Sequence, residues 1–297
     1  MVDAGEAAMT AQDMAEKVVV ITGASSGIGA QAARQLAARG ATVVPIGRSV
    51  QRSTELARSL GVKPLIADFA NLIEVRQLAD QILADHERID VLLNNAGGLF
   101  TPRSITVDGY ETTLQVNHLA PFLLTNLLRE RLIASARTNP VRVINTASVA
   151  NLFGRIRLDD LDWERRRWSA FRAYATTKLM NIVFTRELAR RWAGTNIATA
   201  SFHPGGVATN FASSSWLAGL VYRSPLKNLL LISAAQGAAP LIWLASDADS
   251  AALDGTYYHR LRRNGPASPQ ANDAGLAAAL WERSAQLTGT GIPSAKT

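Results

Sequence analysis

The sequence contains no cysteine, which excludes disulfide bonds and thiolate chemistry. Its histidines lack the spacing of metal ligands, so we expect no metal site; they are His86, His118, His203 and His259. Long hydrophobic runs are missing too, because the stretches 18–21, 43–46 and 229–232 are far too short to span a bilayer. The first residues, with Asp3, Glu6 and Asp13, show neither the basic flank nor the apolar centre of a signal peptide. These absences predict a cytoplasmic protein without a membrane span.

The chain does have enough apolar sequence for one large core. Of its 297 residues 47% are hydrophobic, and no linker rich in Pro, Gly or Ser interrupts the pattern. Strand patterns at 18–22, 42–46, 64–67, 91–94, 141–145, 197–202 and 255–259 alternate with helical patterns. This alternation predicts a single α/β domain over residues 15–290, with a doubly wound parallel sheet of about seven strands and helices on both faces. We expect residues 1–14 to form a flexible tail, the chain beyond about 289 to fray, and Pro45 to mark a strand end or a local irregularity.

The first predicted strand runs directly into a glycine-rich turn. The β-branched run 18–22 is followed by the segment Gly23-Ala24-Ser25-Ser26-Gly27-Ile28-Gly29 and then by a helical pattern. Glycines let the backbone approach a pyrophosphate, whose charge is stabilised by the N–H groups of a helix N-terminus. The spacing is G-x-x-x-G-x-G rather than G-x-G-x-x-G, and such a loop by itself could be an ordinary turn. The strand before it and the helix after it favour a dinucleotide site.

Tyr174 and Lys178 form the most informative pair in the chain. A spacing of four residues on a helix brings the phenol and the ammonium group onto one face. A positive charge close to a tyrosine stabilises the phenolate, so we expect the pKa of Tyr174 to be lowered from its usual value near 10. The tyrosine would then exchange a proton with a carbonyl or alcohol oxygen. Surface helices also carry this spacing by chance, so the pair gains its meaning from the other motifs.

Several motifs in a fixed order resemble those of the short-chain dehydrogenases/reductases. The resemblance covers roughly residues 16–290, and its site residues fall on the glycine turn, on Asn94-Asn95-Ala96-Gly97, on Asn117, Ser148, Tyr174 and Lys178, and on Pro204-Gly205 with Thr209. The stretches 107–111, 178–191 and 280–284 are similar to the retinol dehydrogenase-like and WW-domain oxidoreductase-like branch, which includes bacterial polyketide ketoreductases. The resemblance implies a Rossmann-type fold.

The resemblance also implies roles for these residues. Tyr174 would be the proton donor or acceptor, Ser148 would hold the substrate oxygen, Lys178 would bind the nicotinamide ribose, and Asn117 would order a water path. Ser148 could instead only cap the next turn, and Asn117 could be a helix-start residue. The cofactor-binding set that the resemblance implies is Gly23, Ser25, Ser26, Gly27, Ile28, Gly29, Arg48, Asp68, Phe69, Asn95, Ala96, Gly97, Tyr174, Lys178, Pro204, Gly205, Val207 and Thr209.

The end of the second predicted strand indicates which nicotinamide cofactor fits. An acidic residue there accepts hydrogen bonds from a ribose 2′-hydroxyl, whereas an arginine accommodates a 2′-phosphate. This chain has Gly47-Arg48-Ser49, without a carboxylate. We therefore predict NADP(H) in preference to NAD(H). Arg48 could also be an ordinary solvated residue, and Asp68 resembles the family's residue that binds the adenine amino group.

Two regions bear on the substrate. The segment between Ser148 and Tyr174 is longer than in the simplest family members, and its part 151–173 contains Phe153, Trp163 and Trp168. The segment 210–232 contains Trp216, Leu217, Leu220, Val221 and Tyr222, where the family places its substrate lid. We predict an apolar wall around a bulky ketone or alcohol, such as a polyketide, steroid or retinoid. The aromatic residues could instead anchor the loops to the core or form a subunit contact.

The net charge of +7 invites a nucleic-acid interpretation, which we do not favour. The arginine runs at 165–167 and 260–263 are brief and lack an aromatic platform. Our prediction is an NADP(H)-dependent oxidoreductase that interconverts a carbonyl and an alcohol, and possible pairing into a homodimer through the helices that hold Asn117 and Tyr174. The alternatives are an NAD-dependent alcohol dehydrogenase and a non-catalytic NAD(P)-binding regulatory protein, which would have no chemical need for the full catalytic set.

Overall fold

The computed structural model describes residues 13–205 and 233–290. The strands are β1 (Val18–Thr22), β2 (Thr42–Gly47), β3 (Leu65–Ile66), β4 (Val91–Asn94), β5 (Val141–Thr146), β6 (Ile197–His203), β7 (Thr256–His259) and β8 (Arg262–Arg263). They form one sheet in the order β3-β2-β1-β4-β5-β6-β7-β8, in which β1 to β7 are parallel and β8 is antiparallel to β7. The strand order reverses direction between β1 and β4, which is where doubly wound sheets open a crevice for ligands.

Helices cover both faces of this sheet. They are α1 (Gly27–Ala38), α2 (Val50–Leu60), α3 (Leu72–Asp85), α4 (Thr112–Leu114), a π-helical turn (Gln115–Leu119), α5 (Ala120–Leu127), α6 (Arg129–Ala136), α7 (Ala170–Arg191), α8 (Ala234–Ser246), α9 (Ser250–Leu253) and α10 (Ala274–Thr288). Successive side chains of a strand point to opposite faces. Val20 therefore packs in one core with α3, α5, α6 and α7, while Val19 and Ile21 pack in a second core with α1 and α8. The predicted doubly wound α/β domain is confirmed.

Two features of the sheet differ from the sequence prediction. β8 is an additional strand, and its two exposed arginines carry no apolar pattern that would have revealed it. β2 runs through Pro45 without the predicted irregularity, since Pro45 pairs in register with Ile21. The Ile46 carbonyl accepts from the Ala24 N–H on the β1 side, so the nitrogen of Pro45 faces the β3 side. Because β3 begins opposite Ile46, the missing N–H of Pro45 falls outside the β3 ladder.

The N-terminal boundary also shifts. Asp13 forms an ion pair with the buried guanidinium of Arg39, which pairs on its other side with Asp247 at 2.5 Å. Met14 is buried, and its N–H donates to the Arg39 carbonyl. A buried guanidinium needs carboxylate partners, so residues 13 and 14 belong to the domain rather than to the predicted tail. The rest of that tail, and the chain after residue 290, lie outside the described residues.

α10 packs on α5 and α7, which border or hold the residues Asn117 and Tyr174 of the predicted pairing helices. The ring of Trp281 contacts Phe122 of α5 at 5.0 Å and Phe184 of α7 at 5.7 Å between centroids. Arg191 stacks on the outer side of Trp281 and forms an ion pair with Glu282 at 2.7 Å. α10 therefore covers the face of α5 and α7 that carries these two phenylalanine rings.

Among the described residues, no helix combines the length and the apolarity needed to cross a bilayer. Within the same residues, no three histidine or carboxylate side chains gather in a group that could hold a metal ion.

Candidate active site

The glycine turn places an open helix N-terminus at the crevice. Gly23 and Gly27 adopt left-handed backbone angles (φ 68° and 56°), which side chains with a Cβ rarely adopt. Ser26 is the N-cap of α1 but makes no side-chain capping bond, and the first turn of α1 contains no acidic residue. The backbone N–H groups of this turn can therefore serve an anionic ligand.

This turn packs closely on the segment after β4. A Cβ on Gly29 would lie 2.3 Å from the Gly23 carbonyl oxygen and 2.7 Å from Asn95 Nδ2, so only glycine fits. Thr22 joins the two segments, because its hydroxyl oxygen accepts hydrogen bonds from the N–H groups of Asn95 and Ala96, both at 2.9 Å. The Asn95 amide donates in turn to the Thr22 carbonyl at 3.0 Å. The side chain of Asn95 thus fixes the two predicted cofactor segments to each other.

The end of β2 borders the same turn. A Cβ on Gly47 would lie 2.7 Å from the Cβ of Ser25, so glycine permits the close approach. Arg48 is exposed, and Ser49 caps α2 by accepting from the Arg52 N–H. No carboxylate follows β2 in the sequence before Glu55. Arg48 is thus the charged side chain that directly follows β2.

Asp68 and Phe69 follow the C-terminal end of β3. The Asp68 carboxylate accepts from the Ala70 N–H at 3.0 Å and is partly exposed. The side chain of Phe69 is buried in the core, so only its backbone could contact a nucleotide.

Asn117 lies in the π-helical turn between α4 and α5, a local form that is frequent at functional sites. Its carbonyl oxygen accepts from the Gly98 N–H at 2.8 Å, and its amide donates to the Gly98 carbonyl at 2.9 Å and to the Thr177 hydroxyl at 3.1 Å. The side chain therefore fixes the segment after β4 against α7. Its ordering of a water path stays a prediction.

Ser148 caps the next turn, which is one of the two roles that the sequence left open, and its role at the substrate oxygen stays a prediction. It is the N-cap of the 3-10 turn Val149–Phe153, where its hydroxyl oxygen accepts from the Ala150 N–H at 3.2 Å. It also forms a hydrogen bond with Tyr174, which lowers the pKa of that tyrosine. Both side chains are buried.

Lys178 lies on α7 one turn after Tyr174, and both residues are buried. Its Nζ donates to the Thr146 carbonyl at 2.9 Å and lies 5.6 Å from the centre of the Tyr174 ring. A Cβ on Gly97 would be 3.4 Å from Nζ, so the backbone of that glycine forms the wall facing the ammonium group.

The predicted direction of the tyrosine pKa is wrong in this structure. Burial raises the pKa of Tyr174 to about 12, although the hydrogen bond with Ser148 opposes this shift. Burial also lowers the pKa of Lys178 to about 8. The Lys178 ammonium group donates to the Thr146 carbonyl, and the desolvation of the phenol outweighs the effect of the lysine charge on the pKa of Tyr174. Tyr174 is therefore protonated at neutral pH.

The chain is similar to known proteins over most of its length. The family model for short chain dehydrogenases matches residues 17–218. The chain is a short-chain dehydrogenase/reductase. A Streptomyces protein named "Putative daunorubicin C-13 ketoreductase DnrU" is 46% identical over 279 residues, which cover 92% of this chain and 93% of that one. Human retinol dehydrogenase 13 is 37% identical over 94% of this chain and 87% of its own, consistent with the retinol dehydrogenase-like branch. A blue fluorescent protein from a metagenomic library, solved in complex with NADPH, is 28% identical with a TM-score of 0.65, over 84% of this chain and 97% of that chain.

The aromatic residues of the insert in this short-chain dehydrogenase have different environments. Trp163 is buried, with the Arg166 guanidinium stacked 3.6 Å from its ring centre, and Trp168 donates from its indole N–H to Glu111 at 3.3 Å. These two residues anchor the insert. Phe153 is 68% exposed and contacts Phe171 at 5.6 Å, so of the three it is the one available to a ligand.

Several predicted residues come after β6. Pro204 and Gly205 follow the strand directly, and Gly205 has a left-handed φ of 103°. Val207, Thr209 and the segment 210–232 with its aromatic residues lie outside the described residues.

Two buried asparagines at the site were not predicted from the sequence. Asn151 donates to the Ser148 carbonyl at 2.9 Å and accepts from the Ser268 N–H at 2.9 Å, which holds the turn after Ser148. Asn181 donates to the Thr146 carbonyl at 3.1 Å, the same acceptor that Lys178 uses. The spacing of three residues after Lys178 puts Asn181 on the face of α7 that carries the pair and could have revealed it.

Two buried histidines lead us to expect that the folded state loses stability in acid. Burial lowers the pKa of His118 and of His203 to about 4 each, whereas an unfolded histidine titrates near 6.5. The folded state binds fewer protons than the unfolded state between these values, so the stabilisation present above pH 6.5 is lost as the pH falls towards 4. We expect the shifted pKa of His118 alone to lower the free energy of unfolding by about 2 kcal/mol between pH 6.5 and 5, because each pKa unit corresponds to about 1.4 kcal/mol. Urea unfolding of the wild type and of His118→Gln at pH 7 and pH 5 measures this loss; equal losses in both proteins would contradict the assignment.

Proposed function

We propose that this chain is an NADPH-dependent ketoreductase that reduces the carbonyl group of a bulky hydrophobic substrate. The observation that carries the proposal is the buried Tyr174, hydrogen-bonded to Ser148 with the Lys178 ammonium group one helical turn away. A pure cofactor sensor has no chemical need for a desolvated acid at this place. The coarser activity, oxidoreduction of alcohol and carbonyl groups, follows from family membership.

The residues of the chain have defined tasks in this reaction. The glycine turn and the N-terminus of α1 would hold the pyrophosphate of NADPH, and Lys178 would hold the nicotinamide ribose. When bound, the nicotinamide supplies the hydride for the substrate carbon. Ser148 would donate a hydrogen bond to the substrate carbonyl oxygen and orient it towards Tyr174. Tyr174 then delivers the phenolic proton to that oxygen as negative charge develops on it.

The pKa of Tyr174 suits the role of proton donor at neutral pH. At neutral pH a phenol whose pKa is raised to about 12 is almost entirely protonated, which is the state that proton donation requires. Oxidation of an alcohol would need the phenolate, which burial disfavours. Ser148 opposes this effect through its hydrogen bond, so it stabilises the phenolate left after the proton has moved.

The preference for NADPH over NADH rests on Arg48. We expect Arg48→Asp to weaken NADPH binding about 100-fold, because it removes a charged hydrogen-bond donor from the 2′-phosphate and introduces repulsion. NADH affinity should stay the same or improve. Dissociation constants for both cofactors measure the effect, and Arg58→Asp provides the control, since it makes the same charge change at the exposed far end of α2. Tighter binding of NADH than of NADPH by the unmutated protein would overturn the preference.

For the substrate, we favour a polyketide-type aromatic ketone over a steroid or a retinoid. The support is the name of the Streptomyces relative, "Putative daunorubicin C-13 ketoreductase DnrU", which matches nearly the whole of both chains. The test is a panel of an aromatic polyketide ketone, a steroid ketone, retinaldehyde and a simple aryl ketone, followed by NADPH absorbance. The fastest turnover should occur with the polyketide ketone. Faster turnover of retinaldehyde would reassign the substrate, and turnover of none would favour the non-catalytic alternative.

A further inference from the structure

A buried hydrogen bond joins the last helix of the domain to the turn that carries Asn117. His118 Nε2 and Ser284 Oγ lie 2.9 Å apart, and both residues are buried. The Ser284 hydroxyl donates its own proton to the Leu280 carbonyl at 2.8 Å. Its oxygen is therefore the acceptor in the contact with His118, and the imidazole carries its proton on Nε2.

The surroundings of this hydrogen bond leave no room for water to replace either partner. His118 and Ser284 line a narrow apolar pocket together with Phe122, Phe184 and Trp281, and the pocket is too narrow for a water molecule. The His118 ring meets Phe184 edge-on at 6.2 Å. A polar group that loses its partner in such a place cannot form a hydrogen bond to water instead, so the loss destabilises the surrounding structure.

The neighbouring residue is anchored on the other side of the same turn. Asn117 is bonded to both backbone groups of Gly98 and to Thr177, as described above. Two consecutive residues of one π-helical turn are thus held from two directions, by the cofactor-side segment and by α10. π-helical turns occur mostly as short insertions, so their geometry depends on such external contacts.

We propose that His118 and Ser284 are positioning residues for Asn117, which makes α10 a working part of the active site. This inference rests on the proposed reductase function. The histidine acts as a neutral hydrogen-bond donor, and neither residue touches the substrate. Loss of the bond lets the π-helical turn relax, so Asn117 no longer fixes the wall formed by Gly97 and Gly98 opposite Lys178.

The test compares Ser284→Ala, His118→Leu and His118→Gln in the full-length protein. We expect the first two to lower kcat about tenfold at unchanged NADPH affinity, which is the loss expected for one buried hydrogen bond. His118→Gln keeps an amide donor near the position of Nε2 and should recover most of the activity. Ser246→Ala is the matched control, because Ser246 makes the same bond to the carbonyl four residues earlier, but on α8 and away from the turn.

Amide hydrogen exchange of residues 115–119 gives a readout that does not depend on turnover. Exchange should accelerate in Ser284→Ala and His118→Leu but not in His118→Gln or Ser246→Ala. Unchanged exchange would overturn the proposal, and so would faster exchange with kcat per NADPH-binding site left at the wild-type value. If the wild type reduces no ketone, the proposed function fails, whereas the exchange experiment still decides whether the pair holds the turn.

Discussion

Tyr174→Phe reduces kcat for ketone reduction by roughly three to four orders of magnitude while NADPH still binds. General acid catalysis by a positioned side chain contributes about that factor. The substitution removes one oxygen atom and leaves the ring, which is buried with Ala150 and Ala175, in place. Ser148 retains its capping bond to Ala150, so the turn after β5 is not expected to unfold.

The measurement is kcat with the best ketone of the panel, together with the NADPH dissociation constant. Tyr258→Phe is the matched control, since it removes the hydroxyl of another fully buried tyrosine, one that donates to the Ala252 carbonyl at 3.0 Å away from the site. That variant should keep its turnover. Activity close to the wild-type value in Tyr174→Phe would remove the proposed mechanism.

Lys178→Met is expected to have the second largest effect, a loss of roughly two to three orders of magnitude in kcat with weaker NADPH binding. The substitution removes a positive charge that lies 5.6 Å from the centre of the Tyr174 ring, together with the donor to the Thr146 carbonyl. Without the charge, the phenolate formed after proton donation is less stable, and burial already disfavours it. Lys63→Met, which removes an exposed lysine, should leave both constants unchanged.

The ionisation of Lys178 is expected to set the upper pH limit of activity. Burial lowers the pKa of Lys178 to about 8, so its charge is present below that value and lost as the pH rises through it. The kcat/KM of the wild type, which reports the ionisation of the free enzyme, should therefore decline above about pH 8. A kcat/KM that stays constant up to pH 10 would show that the lysine charge is not required.

The main parts of this site could be predicted from the sequence because each depends on local pattern. Helical spacing puts Tyr174 and Lys178 on one face of α7, and the glycine turn lies between a β-branched strand and a helix, as expected. Among the described residues, seven of the eight strands were predicted from their apolar pattern, and burial on both faces demands that pattern in central strands such as β1, β4 and β5.

Other parts depend on contacts between distant segments, which no local pattern encodes. The partner of His118 is a serine 166 residues further along the chain, and Asn151 meets a loop more than 110 residues away. The pKa of Tyr174 depends on how deeply α7 is buried, so the presence of Lys178 in the sequence predicted the wrong direction. Trp163 and Trp168 illustrate the same point, because only the fold shows that Arg166 and Glu111 hold them.

The central claim, that this chain reduces a ketone with NADPH through Tyr174, is tested most directly by following a deuterium label. The wild type and Tyr174→Phe are incubated with NADPH deuterated at C4 of the nicotinamide and with an aromatic polyketide ketone, and the product alcohol is analysed by mass spectrometry. The account predicts one deuterium at the carbinol carbon with the wild type and almost no labelled alcohol with the variant. Absence of label from the wild-type product with either C4 epimer of the cofactor, or labelling by Tyr174→Phe at the wild-type rate, would contradict it.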